Sequence, residues 1–221
     1  MDANEVARYL QNHPEFFEQY AELLAHVHIP SPFGGKAVSI TERQVLTLRD
    51  KAKSLEAKMA ELVTFGEEND LISEKVHRLA VALLAAPDTA SVLRALYSHL
   101  GGAFAVPHVA LRIWGAGSGA ADSHEFDEVT AEVKVFAATL KHPYCGPSAG
   151  QEACAWFGER GAHARSMAQI PLREHGSGEG ACFGLLVFAS EEAHRFYPEM
   201  GTLYLERIGD MASAALLRVV G

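Results

Sequence analysis

From Ser39 to about Ala85 the chain contains no proline, and its apolar residues recur every three or four positions. That pattern predicts one helix too long for a small domain to enclose, since 1.5 Å per residue gives about 70 Å. Val45, Leu48, Ala52, Leu55, Met59 and Leu62 trace a heptad seam, and Phe65, Asn69, Ile72, Val76, Leu79 and Leu83 continue it. The steps Met59-to-Leu62 and Leu62-to-Phe65 both span three residues, a stammer that overwinds a coiled coil locally. Gly66 lies beside it and weakens the helix by about 1 kcal/mol relative to Ala. Across a parallel pair, Lys51 in a g position would face Glu56 in an e position, an attractive contact. The seam therefore predicts a homodimer through Val45, Leu48, Leu55, Met59 and Leu62. The alternative is that the same stripe packs on its own domain. Beyond Gly66 the helix is expected to become the first helix of that domain.

Three regions follow from this helix: a helical hairpin over 1–38, the dimerisation helix over 39–85 and a globular domain over 86–221. In the hairpin, Val6, Ala7, Tyr9 and Leu10 predict a short helix, and Pro14 opens a second one. The second carries Phe16, Phe17, Tyr20, Leu23 and Leu24, too many large apolar side chains for two small helices to bury. It is the expected docking surface for a separate partner protein, another subunit or the following helix. Ile29-Pro30-Ser31-Pro32-Phe33-Gly34-Gly35 then breaks regular structure.

In the globular region Asp88 is a candidate N-cap for a helix that buries Val92, Leu96 and Leu100. His108–Trp114 reads as a strand, Gly115 to Ser123 as a loop and Asp127 to Leu140 as a helix. Pro143 and Gly146 read as a turn, and Trp156-Phe157-Gly158 as a short strand or turn. Ser166–Leu172 and Cys182–Ala189 read as a hairpin across the Gly-rich turn Glu174–Gly180. Glu199 to Val220 forms a closing amphipathic helix. Strands and helices mix without a repeated βαβ unit, so the fold class is α+β with an antiparallel sheet flanked by helices.

Composition limits the function classes. Hydrophobic residues make up 48% of 221, enough for a packed core, and the formal charge of −9 disfavours a nucleic-acid footprint. The basic residues Lys36, Arg43, Arg49, Lys51, Lys53 and Lys58 are interleaved with Glu42, Asp50 and Glu56, as on a solvated helix face. Three cysteines, an odd and sparse set, fit reduced thiols and a cytoplasmic protein. No apolar run approaches a membrane span, and no nucleotide loop, zinc-protease motif or serine elbow is present.

The residues Tyr9-Leu10-Gln11-Asn12-His13-Pro14-Glu15-Phe16-Phe17, Glu22-Leu23-Leu24, Pro143-Tyr144-Cys145-Gly146, Trp156-Phe157-Gly158 and Phe196-Tyr197-Pro198-Glu199-Met200 resemble the bacterial DUF484 family across essentially the whole chain. The hairpin and closing helix also resemble the end of a GAF domain. The resemblance implies a GAF-like domain behind an N-terminal helical region, without an established activity. GAF-like domains sense small molecules more often than they catalyse. The expected function is therefore a non-catalytic sensory or regulatory protein, coupling a small ligand to a dimeric helix and a separate partner. The alternatives are a ligandless dimeric scaffold and a thiol-dependent methionine sulfoxide reductase on the same fold. Tyr20 and Ala21 depart from the His-Pro that members often carry there, which leaves that turn without an assigned role.

Strand alternation places Val109, Leu111 and Ile113 on one face of the sheet and His108, Ala110, Arg112 and Trp114 on the other. The candidate ligand-binding residues are Arg112, Trp114 and Gly184, with Phe126 and Tyr144 as lid residues. Arg112 could pair with a carboxylate or phosphate; the alternative is an edge arginine lying along Trp114 with its head in water. His142, Cys145, Cys154 and His163 fit no tight zinc spacing, so no metal or other cofactor is expected. Cys145 and Cys154 are the only pair a sulfoxide reductase could use, and no clearly cationic residues surround them. No catalytic residue is expected.

Overall fold

A computed structural model of the chain describes residues 2–29, 38–114, 123–174 and 180–220. Residues 30–35 of the breaker run, 115–122 of the loop after the first long strand and 175–179 of the Gly-rich turn lie outside the described residues. The chain divides into two compact units, Met1–Glu67 and Glu68–Gly221.

In the first unit, α1 spans Ala3–Asn12, α2 spans Glu15–Gln19 and α3 spans Ala21–His26. The single second helix expected after Pro14 is thus two short ones, because Tyr20 leaves the helical region at φ −118°, ψ 35°. Phe16 stacks on Tyr20 at 4.9 Å and meets Phe17 edge-on at 5.6 Å, so these aromatics pack largely on one another. Strands β1 (His28–Ile29) and β2 (Val38–Ser39) pair antiparallel, and α4 (Ile40–Ala85) follows directly.

Helix α4 changes character along its length. Leu48, Leu55, Met59 and Leu62 are 63%, 67%, 68% and 69% exposed, so none of the described residues covers the predicted seam there. Val76, Leu79 and Leu83, farther along, are buried in the core of the second unit. The stammer at Leu62–Phe65 lies just before the boundary between the two units.

The second unit is built on a four-stranded antiparallel sheet of order β3-β6-β5-β4, comprising β3 (His108–Ile113), β4 (Tyr144–Pro147), β5 (Ser166–Arg173) and β6 (Cys182–Ser190). Tyr144–Pro147 is a strand where the sequence suggested a turn. Its pairing stops at Tyr144↔Gln169, so Pro171 lies where β5 has only one neighbour and its missing N–H is tolerated. One face of the sheet buries Leu111, Ile113, Ile170, Leu172, Leu186 and Phe188 against α4, α5 (Thr89–Ser98) and α7 (Leu203–Val220). Close approach of α7 requires Gly209, where a Cβ would lie 2.6 Å from Ile170 Cγ2. The closing helix begins at Leu203, four residues later than expected, and Leu203 itself is exposed.

The opposite face buries Met167, Leu185, Val187 and Ala189 under α6 (Ala131–Thr139) and the 3-10 segment Glu152–His163. Helix α6 starts at Ala131 because the Thr130 hydroxyl accepts from the Val133 N–H, and a separate 3-10 turn, His124–Phe126, precedes it. Trp156-Phe157-Gly158 belongs to the 3-10 segment, whose kink places Gly158 at φ 59°, a conformation suited to glycine.

Arginines close three helix ends, satisfying carbonyls that have no partner within their helices. Arg218 Nη2 donates to the carbonyls of Leu83 and Ala86 at the end of α4. Arg195 Nη2 donates to those of Phe104 and Ala105, just past the π-helical turn His99–Ala103 that extends α5. Arg173 is buried and donates to Ala138 and Leu140 at 2.9 Å each and to Gly180 at 3.0 Å, tying the end of α6 to the β5–β6 hairpin. The expected N-cap is present as well: Asp88 Oδ1 accepts from the Ser91 N–H at 2.8 Å.

Candidate functional site

The five sequence candidates do not form one site. Arg112 and Trp114 lie on and just beyond β3, at one edge of the sheet, and Tyr144 lies on β4, at the other. Three inter-strand spacings put these edges about 14 Å apart. Tyr144 instead folds over Gly146, its hydroxyl donating to the Pro147 carbonyl at 3.1 Å, and its ring meets Phe136 edge-on. Phe126 packs on the main core. Gly184 pairs with Ile113, and Arg112 with Leu185, so Gly184 belongs to the opposite face from Arg112. A Cβ at Gly184 would lie 2.8 Å from the Arg112 carbonyl oxygen, so close strand packing accounts for this glycine.

Sequence alternation also misplaces Cys182. A bulge between Leu172 and Arg173 shifts the register so that Arg173 pairs with Cys182. Cys182 then packs with Leu185 and Val187, and Phe183 with Leu186 and Phe188, a reversal of strict alternation.

Arg112 is held on several sides. Its guanidinium lies 5.1 Å from the Trp156 ring centroid, Nη1 donates to the Leu111 carbonyl at 3.0 Å, and Nη2 is 3.6 Å from Asp127 Oδ2. Its side chain is only 13% exposed, so its charge is already partnered and it does not reach out for an anion. Beside it the Tyr97 hydroxyl donates to Glu125 Oε1 at 2.8 Å. Burial and then that hydrogen bond hold the Tyr97 phenol above its ordinary range. Burial also works to raise the Glu125 carboxyl, but the Ser123 and Tyr97 hydroxyls, its own backbone and Arg112 outweigh it and leave the group below the usual range. Trp114 Nε1 donates to the Cys182 carbonyl at 2.8 Å, which fixes the ring as a strut between β3 and β6.

A cavity of about 310 Å³ does open at the β3 edge, lined by Tyr97, Gly101, His108, Trp156, Phe157 and Arg160, among others. Within it His108 Nε2 is buried without a hydrogen-bond partner. Arg160, at the rim, is exposed and has no carboxylate partner among the described residues. Strand alternation put His108 on the Arg112 face, but none of these lining residues is among the ligand-binding candidates read from the sequence. The 3-10 path that brings Trp156, Phe157 and Arg160 over the strand has no periodic signature; its one signal is the pair of adjacent aromatics before Gly158.

The thiols are not arranged as a redox pair. Cys145 packs on the core face of the sheet, whereas Cys154 packs with the opposite layer, its Sγ donating to the Ser148 carbonyl. Burial pushes the Cys145 thiol up to about 11 and also raises those of Cys154 and Cys182. These shifts are opposite to what a thiolate nucleophile needs. Among the described residues no cluster of His, Cys, Asp and Glu could hold a metal ion, and no helix is long and apolar enough to cross a membrane.

The family described as "Protein of unknown function, DUF484" matches residues 1–220. The chain belongs to the DUF484 family. It is also similar to the uncharacterized protein YigA of Salmonella typhimurium, with 25% identity over 223 residues covering 99% of this chain and 92% of that protein. Among the described residues of this DUF484 chain, packing accounts neither for the exposed seam of α4 nor for the cavity at the β3 edge.

Proposed function

We propose that this DUF484 protein is a non-catalytic regulatory protein, a GAF-like unit that binds a small ligand and is carried on a helix that pairs with a second copy. The observation that carries this reading is the exposed row Val45, Leu48, Leu55, Met59 and Leu62 on α4. A lone helix in water does not keep such a row uncovered when a copy of itself offers a matching seam. Cys145 and Cys154 pack on opposite sheet faces, and burial raises the pKa of both thiols, which favours a non-catalytic role over a sulfoxide reductase. The N-terminal hairpin, with the aromatic residues Phe16 and Phe17 on α2, is the candidate docking surface for a separate partner protein that receives the signal, the whole working in the cytoplasm.

A second reading, a ligandless scaffold, is favoured by one observation. Met167, Leu185, Val187 and Ala189 fill the sheet face away from the closing helix, where sequence placed a pocket. Light scattering on the full chain at micromolar concentration tests the dimer: twice the chain mass is expected, and a monomer contradicts the mechanism. An unbiased thermal-shift screen separates sensor from scaffold, since saturable stabilisation by a small molecule is expected only of the sensor.

A further inference from the structure

Three features of the β3-edge cavity specify a ligand. The first is size: about 310 Å³ lies at the small end of ligand pockets, suited to a one- or two-ring compound and not to a nucleotide. The second is its wall. Tyr97, Trp156 and Phe157 present aromatic surface, with Val106 and Val109 beside them, and Gly101 in the π-helical turn leaves the mouth without a side chain. Phe157 is tilted 53° to His108 at 6.0 Å, so the two rings do not stack face to face. Such a wall is matched by a flat ring system.

The third feature is polar. A buried nitrogen without a partner costs about 1–3 kcal/mol, so His108 Nε2 calls for a ligand heteroatom within hydrogen-bond reach. Among the described residues the rim supplies a cation without a carboxylate partner in Arg160, whereas Arg112 behind Trp156 is neutralised by Asp127 and Glu125 lies hydrogen-bonded to Tyr97. The charge still available to a ligand is therefore positive. We infer that this cavity binds a planar aromatic or heteroaromatic carboxylate, its ring against Trp156 and Phe157, a ring heteroatom or substituent on His108 and its carboxylate on Arg160. The inference rests on the small-ligand reading above and names the ligand class.

The full chain carrying Trp114→Phe leaves Trp156 as the single tryptophan of the two in the sequence, so its fluorescence reports on the cavity. Indole-3-carboxylate and benzoate are titrated alongside indole-3-carboxamide and benzamide. The carboxylates are expected to shift the emission saturably and to bind more tightly than the amides. Arg160→Ala should weaken the carboxylates about tenfold or more, the worth of one charge-assisted hydrogen bond, and leave the amides nearly unchanged. Because Arg160 is exposed, that variant should melt as the parent does. His108→Phe keeps a ring but removes the nitrogen, and should weaken indole-3-carboxylate more than benzoate, which has no ring N–H to offer. Equal binding of acids and amides, or no effect of Arg160→Ala, overturns the inference. So does failure of all four probes to bind at millimolar concentration. The wider sensor reading would still stand if the unbiased screen found another class of ligand.

Discussion

Replacing Arg173 with methionine should be among the most damaging single changes in the unit Glu68–Gly221. The side chain is buried, and its guanidinium makes three contacts of 2.9–3.0 Å, to the carbonyls of Ala138, Leu140 and Gly180. Hydrogen bonds from a charged donor are worth about 1.5–3 kcal/mol each, and methionine recovers some of the apolar stem packing. Water can reach some of the freed carbonyls, so the expected net loss is about 3–5 kcal/mol, a large share of a domain's stability. For a unit of this size that corresponds to a fall in Tm of roughly 6–20 °C. Arg173→Lys keeps the charge but cannot reach three carbonyls from one planar group, and should lose about half as much. Urea unfolding followed by circular dichroism measures both. A loss below about 1 kcal/mol for Arg173→Met would refute the argument that this arginine closes α6.

Other expectations follow from single contacts. Gly209→Val should cost about 1–3 kcal/mol by forcing α7 away from Ile170, where a Cβ alone would lie at 2.6 Å, and a urea midpoint will show it. Ala105 sits at φ 50°, so Ala105→Gly should leave stability unchanged or raise it by up to about 1 kcal/mol. The Cys145 thiol has a folded pKa raised to about 11. Because that pKa lies above the unfolded value near 8.5, its contribution is complete below that pH and is lost as pH rises towards the folded value. Cys145→Ala should therefore flatten the alkaline decline in stability above about pH 8.5.

Elements whose periodicity sets their packing were legible in the sequence; elements positioned by a single tertiary contact were not. Helix α4, the β5–β6 hairpin and the Asp88 cap follow from spacing and side-chain type, and they appear in the structure within a few residues of the expected bounds. The uneven step at Leu62–Phe65 was visible too. The bulge at Leu172/Arg173 was not legible, and it sends Cys182 and Phe183 to the faces opposite those given by alternation. The site suffered most. Strand face was read correctly for Arg112, but face alone says nothing about strand order, which puts Tyr144 on the far edge. Nor does face reveal neighbours, and Asp127 and Trp156 take up the charge that made Arg112 look available.

Pairing of α4 with a second copy is the claim on which the regulatory account depends, and self-cross-linking tests it most directly. Leu55 occupies a d position, where the two helices of a parallel, in-register pair come close enough for a disulfide, whereas Lys53 points away from the seam. Under mild oxidation Leu55→Cys should give a covalent dimer and Lys53→Cys should remain a single chain. Equal cross-linking of the two, or none at Leu55→Cys, would contradict the account.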